Sequence, residues 1–188
     1  FVISTALKDY FVSCGLPKEK IEIVNMTVDS NRFVGLTKQP SEKYIAYCGT
    51  ASNNKDGVDE LIKSFAIVNK THPEVKLYII GKTPDKNDAS GNLKLIENLG
   101  VKDSIVFTCI VSAADILKNA AVLALDRPDS LQAQCGFPTK LGEYLLTENP
   151  VIVTKVGDIP LFLKDGETAL LVEERNPKDF SSKIIWAL

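Results

Sequence analysis

The stretch Ile45-Ala46-Tyr47-Cys48-Gly49-Thr50-Ala51-Ser52-Asn53-Asn54-Lys55-Asp56-Gly57-Val58 decides how this chain folds. It opens with a four-residue apolar run, too short for a helix and suited to a strand buried on both faces. A polar, glycine-bounded loop follows. Val58, Leu61, Ile62, Phe65 and Val68 then recur at the spacing of one helix face. The unit is strand, loop, helix.

The same unit repeats outward. Further apolar runs are Val75 to Ile80, Ile105 to Phe107, Ala120 to Leu125, Val151 to Val153 and Ala169 to Val172. Leu93, Ile96 and Leu99 fall at helical spacing, with Gly100 as a stop. Ser112 and Asp115 have the spacing of a capping box. Asn176-Pro177 opens a last helix that buries Phe180, Ile184 and Leu188. This alternation predicts an α/β fold, a doubly wound, mostly parallel Rossmann-like sheet. Upstream, periodicity predicts strands at Phe1–Ser4 and Ile21–Asn25 around a helix at Ala6–Cys14. Thr27 to Lys43 is polar, contains Pro40 and reads as a linker. The expected division is 1–37 as a tail and linker, and 38–188 as the main domain.

Composition narrows the function. The 22 Lys+Arg nearly balance 24 Asp+Glu, giving a net charge of −2 without a basic run, which argues against nucleic acid as a partner. No apolar run approaches the roughly 20 residues of a membrane span. The chain starts at Phe1 with neither a basic leader nor an initiator Met, so a piece of a longer cytoplasmic protein is expected. Cys14, Cys48, Cys109 and Cys135 are scattered, and His72 is the lone histidine. Neither zinc nor a disulfide framework is expected from that pattern, and reduced thiols are.

In sheets of this kind ligands bind beyond the carboxyl ends of the strands. Gly49 there lets backbone approach a ligand, and Lys55 can reach an anion, although a loop lysine is ordinarily just solvated. A second constellation is Gln134-Cys135-Gly136-Phe137-Pro138-Thr139-Lys140-Leu141-Gly142-Glu143-Tyr144. Its turn feeds a helix whose free N–H groups, beside Lys140, form a phosphate cradle, with Glu143 one turn in as an acceptor for two sugar hydroxyls. The ordinary alternative has Thr139 capping the helix while Lys140 and Glu143 lie on a wet face.

Gly49, Lys55-Asp56-Gly57, Gly136 through Leu145 and Asn149-Pro150-Val151-Ile152-Val153-Thr154 together resemble the carboxy-terminal half of retaining family-4 glycosyltransferases. Val156-Gly157-Asp158-Ile159-Pro160, Asp165-Gly166-Glu167, Leu170-Leu171-Val172 and the linker stretch Asp29 to Phe33 continue the resemblance, which runs from about residue 21 onward. It implies the donor-binding half of a two-domain GT-B enzyme that transfers a sugar from a nucleotide diphosphate sugar to a glycan or glycolipid acceptor. The acceptor would sit in an amino-terminal domain of which residues 1–25 are the end. The resemblance also leaves room for peripheral membrane association of the longer protein.

By the same resemblance Lys55 is the catalytic cation on the leaving diphosphate, with Gly49, Thr139 and Lys140 beside the phosphates. Glu143 takes the ribose, Gly136, Phe137 and Pro138 form the donor-sugar loop, and Gly81, Ile110 and Val111 lie near the base. Neither metal nor cofactor is implied, since basic groups and a helix dipole can offset the phosphates. Two departures stand out. The family commonly has Arg where this chain has Thr50, and Glu where it has Cys135. Lys140 is the expected substitute for the first, and Gln134 or Gln132 for the second. A nucleotide-sugar epimerase of the same architecture and a non-catalytic binding lobe are the alternatives.

Overall fold

The structure is a computed structural model that describes residues 1–39, 42–81, 91–108 and 113–188. The expected capping box at Ser112, the base-site residues Ile110 and Val111, Cys109 and Pro40 lie outside the described residues.

Six parallel strands form one sheet. They are β1 (Tyr44–Cys48), β2 (Lys76–Ile80), β3 (Ile105–Thr108), β4 (Val122–Leu125), β5 (Val151–Thr154) and β6 (Leu170–Val172), in the spatial order β3-β2-β1-β4-β5-β6. Every position of β4 and β5 is buried, as expected of strands covered by helices on both faces. The covering helices are α3 (Val58–Thr71), α4 (Asn92–Asn98), α5 (Ala113–Asn119), α7 (Thr139–Leu146) and α9 (Pro177–Ala187). Tyr47, Phe65, Leu77, Leu123, Tyr144 and Phe180 are fully buried between the layers.

The local signals account for the helix ends. Asn176 caps α9, its side chain accepting from the Asp179 N–H at 3.1 Å. Gly100 follows α4 in the left-handed region, with its N–H on the Glu97 carbonyl and that of Val101 on Ile96. Leu188 ends half-buried, not buried with Phe180 and Ile184.

Three short helices escape the periodicity because each spans little more than a turn: α2 (Asn53–Asp56), α6 (Leu131–Cys135) and α8 (Ile159–Phe162). Hydroxyl caps start the first two, Ser52 accepting from the Lys55 N–H and Ser130 from that of Ala133.

The amino-terminal strands are where sequence periodicity overreaches. Phe1–Ser4 and Ile21–Asn25 meet only in a single parallel bridge, Val2 to Ile23, around α1 (Thr5–Ser13). Without a longer ladder, alternation of apolar residues does not make a strand. This segment is tied to the main body by the Ser4 hydroxyl donating to the Cys135 carbonyl and the Thr5 N–H donating to Asp158 at 2.7 Å.

A candidate ligand crevice between the first and fourth strands

The strand order reverses between β1 and β4. The helix after β1 therefore packs on one face and that after β4 on the other, leaving a crevice beyond their carboxyl ends. Gly49 extends β1 by donating to the Ile80 carbonyl at 2.8 Å, and Gly81 extends β2 by donating to Thr108 at 2.9 Å. A side chain at either glycine would collide with its surroundings. At Gly49 it would strike Lys140 Nζ, and at Gly81 the Gly49 carbonyl. Gly57, with φ of 58°, turns the chain from α2 into α3 against the Asp126 carbonyl, a place closed to any Cβ.

A buried polar cluster floors the crevice. Lys140, in the first turn of α7, places Nζ 2.5 Å from Asp56 Oδ2 and 3.2 Å from the Tyr47 hydroxyl. The same ammonium stands 4.6 Å from the centre of the Tyr47 ring. The Tyr47 oxygen is 2.7 Å from both Asp56 and the Thr50 carbonyl, so its single proton has two acceptors. Burial and the Asp56 charge push the Tyr47 hydroxyl far above its ordinary range. Burial pulls Lys140 down while Asp56 pulls it back up. Beside the cluster, Tyr144 accepts the Cys48 N–H at 2.7 Å and joins α7 to β1.

The two residues after β4 face opposite ways, as successive residues of extended chain do. Asp126 is pushed up to about 8, first by burial and then by the charges of Glu60 and Asp59. Arg127 instead lies in the field of Asp56 and Tyr47, and burial is the largest influence on it, lowering its pKa. Thr154 donates to the Arg127 carbonyl at 2.8 Å and fixes its backbone.

The residues singled out in the sequence divide around this crevice. Gly49 and Lys140 meet at its floor, and Gly81 packs on Gly49. Lys55 projects from α2 with an exposed side chain. Thr139 is the first residue of α7 and does not cap it: Pro138 holds the cap position without a side-chain bond, leaving the first N–H groups of the helix uncapped by a side chain. Lys140 and Glu143 are not on a wet face. Glu143 pairs with Arg32 from the polar linker.

Phe137 packs edge-on against Phe162, centroids 5.2 Å apart, and lines a small apolar cleft with Met26 and Leu141. Gly136 lies next to the Arg127 guanidinium. Gln134 has both ends of its amide engaged, by Asp129 and by the Gly157 N–H, whereas Gln132 is exposed.

Sequence reasoning gave no role to Asp56, Tyr47, Tyr144 or Arg127, although Asp56 and Tyr144 lie within the motifs that carry the resemblance. Arg127 had a usable signal, being a charged residue directly beyond a strand, and Asp56 another, lying in the polar stretch between a strand and the next helix. Tyr47 reads as part of an apolar run. Among the described residues no group of three or more His, Cys, Asp or Glu is placed to hold a metal ion, and no helix is long and apolar enough to cross a membrane.

Known proteins resemble this chain in sequence and fold. Residues 42–188 fit the family profile described as glycosyl transferases group 1. The D-inositol 3-phosphate glycosyltransferase of Segniliparus rotundus is 26% identical over 176 residues, covering 88% of this chain and 38% of that protein. The capsular polysaccharide biosynthesis glycosyltransferase CapM of Staphylococcus aureus is 28% identical over 198 residues, covering 97% and 50%. The chain thus spans half or less of the length of these curated relatives. Anabaena Alr3699/HepE, solved in complex with UDP and with UDP-glucose, superposes with a TM-score of 0.80 at 16% identity, over 98% of this chain and 52% of its own.

Proposed function

Because this chain belongs to the group 1 glycosyl transferases, we propose that its crevice binds a nucleotide diphosphate sugar and presents the sugar for transfer with retention of configuration. The observation that carries this reading is the convergence of Gly49, the Lys140–Asp56 pair and the uncapped start of α7 at the reversal of strand order. Backbone N–H groups there suit a diphosphate, whose negative charge grows as the sugar departs. Lys55, exposed at the rim, relieves that charge. Glu143 accepts from the ribose, Gly136 to Pro138 border the sugar, and the base lies beyond Gly81. The complexes of the Anabaena protein with UDP and UDP-glucose support a uridine donor.

The acceptor, a glycan or glycolipid, is held by an amino-terminal domain whose tail is residues 1–37, and the longer protein works in the cytoplasm on polysaccharide synthesis. The name of the staphylococcal relative supports that last step. Neither metal nor cofactor enters the proposed reaction.

Thermal melting of the chain with UDP, ADP, GDP and the matching nucleotide sugars tests the proposal. At least one diphosphate should raise the melting temperature, and uridine without phosphates should not. A chain indifferent to every nucleotide in the panel would overturn the reading.

A further inference from the structure

The Lys140 and Asp56 charges cancel each other at the floor of the crevice, 2.5 Å apart. Arg127 is left over. It is 2% exposed, and its Nε and Nη1 find no hydrogen-bond partner among the described residues. A guanidinium is charged at any physiological pH, and burying one unpaired is costly enough that such groups are rare. Its neighbour in sequence does not answer it. The charges that bear on Asp126 are Glu60, Asp59, Lys63 and Glu174, on the α3 side, while those that bear on Arg127 are Asp56 and Tyr47. The single carboxylate of Asp56 thus faces two cations and already accepts from one of them.

Two features give the free guanidinium a direction. Its Nη2 stands 3.7 Å from the point a Cβ on Gly136 would occupy, an ordinary contact distance, so the guanidinium borders that turn, where the Gln132 carbonyl leaves no room for a side chain. Three residues on, α7 begins, eight residues long, with no side chain capping its first N–H groups. A buried cation and a helix amino terminus therefore flank one turn, Gly136-Phe137-Pro138. Both favour an anion, and the guanidinium fork suits phosphate oxygens in particular.

We infer that Arg127 is the second cation of the diphosphate site, supplying from the end of β4 the arginine that the chain lacks at Thr50. The inference rests on the nucleotide-donor reading above and replaces Lys140, whose charge Asp56 already holds, as the substitute for that arginine. Bound diphosphate takes a contact from Arg127 Nη2, the amino group beside Gly136, and N–H contacts from the start of α7. Arg127 is a binding residue here; Lys55 keeps the exposed approach.

Titration calorimetry of the parent chain, Arg127→Gln and Arg127→Lys with inorganic pyrophosphate and with UDP tests this. Arg127→Gln should bind both ligands at least tenfold more weakly, Arg127→Lys should lose less, and free Arg127→Gln should melt no lower than the parent. Should Arg127→Gln fail to fold, the parent decides. The chain has three arginines, Arg32, Arg127 and Arg175, so their side-chain Nε–H resonances are readily assigned. Pyrophosphate should shift that of Arg127 and leave that of Arg175 in place. Parent-like binding by a folded Arg127→Gln, or an unmoved Arg127 resonance in a parent saturated with pyrophosphate, overturns the inference and leaves the donor reading standing. A parent that binds neither ligand overturns both.

Discussion

Asp56, the last residue of a one-turn helix after β1, holds the ammonium of Lys140, in the first turn of α7, at 2.5 Å with only 3% and 14% of the two side chains exposed. A pair this buried behaves unlike the exposed pairs on the surface, because each partner depends on the other for its solvation. It also holds α2 and α7 together at the floor of the crevice.

Asp56→Asn should therefore destabilise the chain by about 3 kcal/mol, since it leaves a buried ammonium without its counter-charge. Asp56→Asn combined with Lys140→Met should recover most of that loss, because no charge is then stranded. Urea denaturation of the two single variants and the double variant measures the coupling. Additive effects would mean that the pair contributes nothing beyond its separate packing.

Lys55 separates binding from folding. Its side chain is exposed, so Lys55→Ala should leave stability within about 0.5 kcal/mol of the parent. If it contacts the diphosphate, UDP should bind about tenfold more weakly, the equivalent of one charge-assisted hydrogen bond. Calorimetry on the folded variant reads this directly, and unchanged affinity would remove Lys55 from the site.

On the proposed donor reading, Arg32 competes with the ribose for Glu143. The two side chains are partly exposed, 46% and 20%, so releasing the pair costs little. Arg32→Ala should strengthen UDP binding by at most about fivefold, whereas Glu143→Gln should weaken it. Pyrophosphate, which has no ribose, should bind both variants like the parent. Parallel changes for the two ligands would make Glu143 a partner of the helix dipole and no more.

Asp126 should make stability fall as pH rises. Burial holds its carboxyl at about 8 against an ordinary value of 3.8, so between those limits the native state keeps a proton that the unfolded chain has lost. Stability from this group is full below about pH 4 and is lost progressively up to about pH 8, by an amount on the order of 5 kcal/mol. Asp126→Asn should remove this slope and exceed the parent in stability at pH 9. Urea midpoints at pH 5, 7 and 9 for the two proteins make the comparison, and parallel curves would refute it.

Local patterns of residues specify the set of elements and the class of fold. The short Val/Ile-rich runs became the six strands of a parallel sheet, and Asn176-Pro177 and Gly100 ended or began helices where their backbone chemistry requires. These are local properties, decided within a few residues by periodicity, by caps and by a glycine's left-handed φ. The order of the strands, and with it the site, comes from long-range packing. Asp56 meets Lys140 across 84 residues, and Glu143 meets Arg32 across 111. Whether a lysine is a free cation or half of a neutral pair depends on which loop the sheet brings against it. For the same reason Arg127, unremarkable after a strand in the sequence, became a buried charge whose Nε and Nη1 have no hydrogen-bond partner among the described residues once the fold had closed around the end of β4.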